Sequence, residues 1–245
     1  MKKWTLPFFL LLFALPFAAL AAGPITPKLI KPDAVPDSLA FLPPPPAEGS
    51  IDFKRDQDIY LQTRELVGSA AWDDAVLIGN RSANWREYFL DAFGMKITED
   101  TTPYTYALIS KTFDDLNAAA ASAKDHYRRV RPYNYYNKPG STCTPKEEAR
   151  FSKNGSYPSG HSGYGWGLAL ILAEISPERQ SAILKRGYAI GFSRIVCGVH
   201  WASDIDAGRS VAAAAVAQMH NNSTFLDLLA KSKAEIKALR EKSKP

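Results

Sequence analysis

A chain of 245 residues, 46% hydrophobic and 22% charged, is long enough for one generous domain and at most two. Its formal charge of +5 is modest, and no stripe of Lys and Arg interleaves with aromatics, so the sequence does not call for a nucleic acid polymer as a partner. The two cysteines, Cys143 and Cys197, form no CxxC or Cys/His zinc spacing. An even pair suits either one disulfide or two buried thiols.

Residues 1–21 read as a signal peptide cleaved on export. Lys2 and Lys3 precede an apolar stretch broken by Pro7 and Pro16, and Ala19, Leu20 and Ala21 supply the cleavage positions. The stretch is shorter than the ~20 residues a membrane span needs, and no later one is both apolar and long enough. Residues 22–49 are Pro-rich, with Pro43 to Pro46 consecutive. They predict an extended arm along the surface, neither helix nor central strand.

Residues 50–245 carry helical patterns. A charged amphipathic helix is expected over 52–67, and shorter ones over 70–78 and 84–93. A clearer one covers 106–123, with Ile109, Phe113, Leu116, Ala120 and Ala123 on one face. The apolar run 164–175 predicts a buried helix. Ser176 as cap and Pro177 at the first helical position open another, ending near Phe192. An Ala-rich helix follows over 204–220. Ser223 is expected to cap a last one, with Phe225, Leu228, Leu229, Ile236 and Leu239 opposite a lysine face. Alternating strands, Asn-Gly hairpins and repeats are lacking in the sequence. The fold class expected is all-α: a compact single-domain helical bundle with a Pro-rich N-terminal arm.

Three places could carry chemistry. Lys124 and Arg131, seven apart, would face one side of a helix ended by Pro132, with Arg128 on the same face and Arg129 elsewhere. This is either two cations aimed at one spot or a solvated basic face. Ser159-Gly160-His161 opens the apolar helix, where free N–H groups and the helix dipole suit an anion; the plain alternative is a Ser/Gly cap. Arg194 precedes His200, and Asp204, one turn on, could fix the imidazole tautomer. Together they surround a tetrahedral dianion with donors. His200, oriented by Asp204, would attack phosphorus. His161 would protonate the leaving alkoxide, then serve as base for water. The sequence has no Walker loop, no HExxH and no acidic cluster for two metals, so no cofactor or metal is expected.

The strings KDHYRRVRP (124–132), PSGH (158–161) and SRIVCGVHWASD (193–204) together resemble the three-part signature of the type-2 phosphatidic acid phosphatase and vanadium haloperoxidase superfamily. NGSYPSGH, LALILAEISPERQ, ILKRGY, DAGR and the upstream FLPPPPAEGS are similar to bacterial class A non-specific acid phosphatases. The resemblance implies an all-helical periplasmic hydrolase of many phosphomonoesters, often homo-oligomeric. It gives Lys124, Arg131, Ser159, Gly160 and Arg194 to phosphate, and makes His200 the nucleophile, His161 the acid and Asp204 the orienting partner. Arg128 and Arg129 would add at most positive potential at the mouth. A vanadate-dependent peroxidase and a non-catalytic phosphate-binding protein stay open as alternatives.

Overall fold

The predicted buried helix becomes the axis of the molecule. The computed structural model describes residues 29–80 and 87–243; the expected signal peptide, the first residues of the arm and the start of the predicted helix 84–93 lie outside them. In chain order the helices are α1 (Ser38–Phe41), α2 (Ile51–Thr63), α3 (Ala70–Gly79), α4 (Leu90–Phe93), α5 (Pro103–Ala119) and α6 (Ala121–Tyr127). They continue with α7 (Pro132–Tyr135), α8 (Glu148–Phe151), α9 (Gly160–Ile175), α10 (Gln180–Val196), α11 (Ala202–Met219) and α12 (Ser223–Lys242). Among the described residues there is no strand, and no helix is long and apolar enough to cross a membrane. The all-α expectation is borne out.

α9 packs against α10, α11, α5 and α12. Leu168, Ala169, Ile171, Leu172 and Ile175 are buried on every side of it, at about 1.5–3 kcal/mol for each large side chain. Glycines let its neighbours come close. A Cβ on Gly187 of α10 would stand 2.3 Å from the Cβ of Ala169, and one on Gly208 of α11 would stand 2.4 Å from the Ser159 carbonyl oxygen. The start of α9 is thereby pressed against the first turns of α11.

Several local expectations are corrected. The 106–123 helix is two, α5 and α6, broken at Ala120. There the N–H of Ala123 donates to Ser38 Oγ of the arm at 3.2 Å, a side chain inserted into the helical ladder. The arm is not wholly extended: Pro43 to Pro46 are, but the Pro-free stretch before them forms α1, capped by Asp37 accepting from Leu39 N–H. Nor does the arm only skirt the surface, because Leu29 and Ile30 are buried and donate their N–H groups to Asp115 Oδ2 on α5. Asn222, not Ser223, caps α12, its Oδ1 accepting from Thr224 and Phe225. Ser176 precedes a 3-10 turn, Pro177–Arg179, before α10 begins. α10 runs past Phe192 to Val196, because no breaker intervenes until Gly198, whose φ of +86° turns the chain away.

Cys143 and Cys197 form a disulfide, separated by 54 residues in sequence. Replacing both by Ser is expected to lower stability by about 4 kcal/mol on the loop-entropy relation. A urea midpoint unchanged from the unsubstituted protein would contradict this.

Candidate active site

A cavity of about 440 Å³ opens where α6, α9 and the α10–α11 turn meet, and Lys124, Arg131, Gly160, His161 and His200 line it. Ser159, Arg194 and Asp204 are fully buried beside it.

Lys124 and Arg131 converge, but not as two turns of one helix. α6 ends at Tyr127, Arg128 turns in the left-handed region (φ 44°), and Arg131 is extended before Pro132. What gathers the two cations is a shared acceptor. Lys124 Nζ donates to Gly155 O at 3.1 Å and to Pro158 O at 2.5 Å, while Arg131 Nη2 donates to Gly155 O at 3.3 Å. Burial and the charge of Arg131 push the Lys124 ammonium down to about 7. Burial brings Arg131 and Arg194 each to about 10. All three are desolvated cations short of negative charge, which a dianion would supply.

Arg194 sits fully buried on α10. Its Nη1 reaches Ala75 O at 3.4 Å, whereas Nε and Nη2 hydrogen-bond to no protein atom among the described residues. Native proteins seldom leave buried donors so.

Ser159 is the N-cap of α9. Its Oγ accepts from Ser162 N–H at 3.3 Å, so the plain capping reading holds. The hydroxyl proton stays free to donate, and the N–H groups of Gly160 and His161 take no part in the cap. Ser159 N–H donates to the Asp204 carbonyl at 2.9 Å, which ties the two motif turns together. The His161 ring makes no hydrogen bond among the described residues and lies 5.0 Å from the Tyr164 ring. Burial, then the charges of Arg194, His200, Arg131 and Arg150, hold its imidazolium well below the usual range.

His200 Nδ1 lies 3.2 Å from Asp204 Oδ2, and its Nε2 lies 3.2 Å from Arg131 Nη1. Arginine can only donate, so Nε2 must accept and Nδ1 must carry the proton. The tautomer follows: a neutral imidazole at the cavity wall, its Nε2 lone pair accepting from Arg131 and its Nδ1–H backed by a carboxylate. Burial and Arg131 push His200 down to about 3, against the upward pull of Asp204. Burial alone would raise Asp204, but the His200 hydrogen bond, Arg129 and the Trp201 N–H together hold it at about 2.

Two residues differ from the sequence reading. Arg129 is not at the mouth; it is buried and paired with Asp204 at 2.7 Å and Asp56 at 2.7 Å. The exposed cation on the cavity rim is Arg150, bonded to Glu147 at 2.7 Å. Tyr88, Phe113 and Tyr164 add an aromatic wall, with the Phe113 and Tyr164 rings 5.1 Å apart. The helical spacing of Phe113 was legible only as a core position.

The PAP2 superfamily model matches residues 103–225. The chain is 47% identical over 210 residues to a non-specific acid phosphatase of Providencia stuartii, covering 84% of this chain and 83% of that protein. It is 38% identical over 207 residues to a non-specific acid phosphatase of Salmonella typhimurium, covering 84% and 82%. Against an acid phosphatase of Zymomonas mobilis the identity is 38% over 197 residues, covering 77% and 71%. The chain belongs to the PAP2 superfamily, in its acid phosphatase branch.

Proposed function

We propose a periplasmic acid phosphatase that hydrolyses a broad range of phosphomonoesters, among them nucleotides, sugar phosphates and aryl phosphates, through a phosphohistidine on His200. The observation that carries the reading is the Arg131–His200–Asp204 chain, which keeps Nε2 unprotonated at the wall of a cavity lined by cations, its lone pair held by an Arg131 N–H that must let go when phosphorus takes its place. Nε2 attacks phosphorus, the P–O bond to the leaving group breaks, and His161 gives that oxygen its proton. Water then attacks phosphorus, its proton passes to His161, and the P–N bond breaks to release phosphate and restore the imidazole. Lys124, Arg131, Arg194, the Ser159 hydroxyl and the Gly160 N–H hold the non-reacting oxygens. Charge is balanced by the chain's own cations: among the described residues no three His, Cys, Asp or Glu side chains gather to hold a metal ion. An alcohol in place of water would accept the phosphoryl group in the same step.

Denaturing quench at alkaline pH, where a phosphohistidine P–N bond survives, during turnover of a labelled substrate, followed by peptide mapping at alkaline pH, tests this. Label on the peptide bearing His200 is expected; label on no peptide, or on another residue, would sink the reading. For the acid role, His161→Ala is expected to cost about 10²–10⁴-fold in kcat on a sugar phosphate and far less on p-nitrophenyl phosphate, whose leaving group needs little protonation. Equal losses would exclude it.

The sign of the pH dependence follows from Lys124. With its proton affinity depressed to about 7, it is charged below that pH and neutral above it. A phosphomonoester is already mostly dianionic there, its second pKa being about 6. KM for p-nitrophenyl phosphate is therefore expected to rise as the pH passes 7. In Lys124→Met that rise should vanish, with KM high throughout.

A further inference from the structure

Arg129 is a buried cation beside the site that the phosphate cradle does not use. Its side chain is 8% exposed. Nη1 donates to Asp204 Oδ1 and to Ser203 Oγ, both at 2.7 Å, and Nη2 donates to Asp56 Oδ2 at 2.7 Å. The guanidinium also lies over the rings of Trp201 and Phe53, at 5.5 and 5.8 Å. Asp56 comes from α2, outside the matched residues 103–225. Its Oδ1 accepts from Ser203 N–H at 2.8 Å and its Oδ2 from Ser203 Oγ at 2.5 Å.

The two oxygens of Asp204 are thus held from opposite sides. Oδ2 accepts from His200 Nδ1 and from Trp201 N–H at 2.9 Å, whereas among the described residues Oδ1 is held by Arg129 alone. Asp204 is fully buried, so without Arg129 an ionised oxygen would lack any partner, and the carboxylate could rotate away from His200. Asp56 has a separate effect. By sharing the Arg129 charge it prevents that charge from falling wholly on Asp204, and so preserves the negative field at His200. Lining up buried groups behind a catalytic histidine is how ring orientation is fixed elsewhere.

We propose that Arg129 and Asp56 are positioning residues for the reaction, a second tier that aims Asp204 at His200 and sets how much of its charge His200 feels. This rests on His200 being the nucleophile. The charged and titratable groups around His200 are Asp204 on α11, Arg131 before α7, Lys124 on α6, and His161 and Arg194 on α9 and α10. Of these only Asp204 touches Arg129.

The test compares Arg129→Gln, Asp56→Asn and His200→Ala in the full chain, with p-nitrophenyl phosphate and thermal unfolding side by side. In Arg129→Gln and Asp56→Asn, kcat is expected to fall about 10–100-fold with KM within about threefold, because neither residue belongs to the cradle. The acid limb of kcat/KM should move in opposite directions. It should shift to higher pH in Arg129→Gln, where His200 faces an unneutralised carboxylate, and to lower pH in Asp56→Asn, where Arg129 turns wholly to Asp204. Should Arg129→Gln not fold, Arg129→Lys and the isosteric Asp56→Asn carry the comparison. A lowered Tm with kcat unchanged, or a kcat loss that only tracks the unfolded fraction with the limb unmoved, means the network merely joins α2 to α11 and overturns the proposal. Normal turnover in His200→Ala would instead remove the nucleophile reading on which it stands.

Discussion

His200→Ala is expected to reduce hydrolysis of p-nitrophenyl phosphate by about 10⁴-fold or more, while inorganic phosphate still binds. The reasoning is geometric. The His200 ring is fixed from both ends, with Arg131 donating to its unprotonated Nε2 and Asp204 holding the opposite nitrogen. Removing a nucleophile that acts with its partner as a unit forfeits nearly all their joint effect. Because burial and Arg131 bring His200 down to about 3, its Nε2 stays unprotonated through the acid range above that. Cations and helix N–H groups are untouched in the variant, so phosphate should still protect it from thermal unfolding. Near-normal turnover would show that another group attacks. Turnover lost together with phosphate protection would point to a collapsed site.

The second large effect has two signs. Arg194→Met is expected to lower kcat/KM about 10²–10³-fold and yet raise Tm in phosphate-free buffer. Arg194 is wholly buried, and two of its nitrogens find no acceptor among the described residues. An unpaired buried charge is a standing penalty, and since even buried ion pairs replaced by apolar side chains of similar volume leave proteins unchanged or more stable by about 1–4 kcal/mol, removing this one should stabilise. Phosphate at 100 times its Kd adds about 2.7 kcal/mol to the folded state, and the variant should gain much less than that. Calorimetry with and without phosphate separates the two effects. A variant less stable than the parent in phosphate-free buffer, and still protected by phosphate to the same extent, would mean that Arg194 is a packing residue.

The three motif strings were readable because each is local: Ser159 caps the helix that its own sequence begins, and Asp204 stands one turn beyond His200. What joins them was not readable. The seven-residue spacing of Lys124 and Arg131 suggests two helical turns, but a non-glycine residue in the left-handed region at Arg128 ends the helix. That conformation is uncommon and carries no sequence mark. The same turn exchanges the roles of two neighbours, sending Arg128 to solvent and Arg129 inward. Asp56 lies in a stretch of alternating charge and reads as surface. Only the tertiary approach of α2 to α11 makes it a buried partner. The length of α10 was underestimated for a simpler reason: Gly198, the true stop, lies beyond the last apolar repeat.

The Cys143–Cys197 bond closes three residues before His200, and the Cys143 N–H also donates to the Cys197 carbonyl at 3.0 Å. The segment it fastens is the one that carries Arg194 at one end and His200 at the other. A chain with both thiols reduced lacks about 4 kcal/mol of constraint in the turn that holds His200. Oxidation therefore steadies, in one stroke, both ends of the turn between Arg194 and His200.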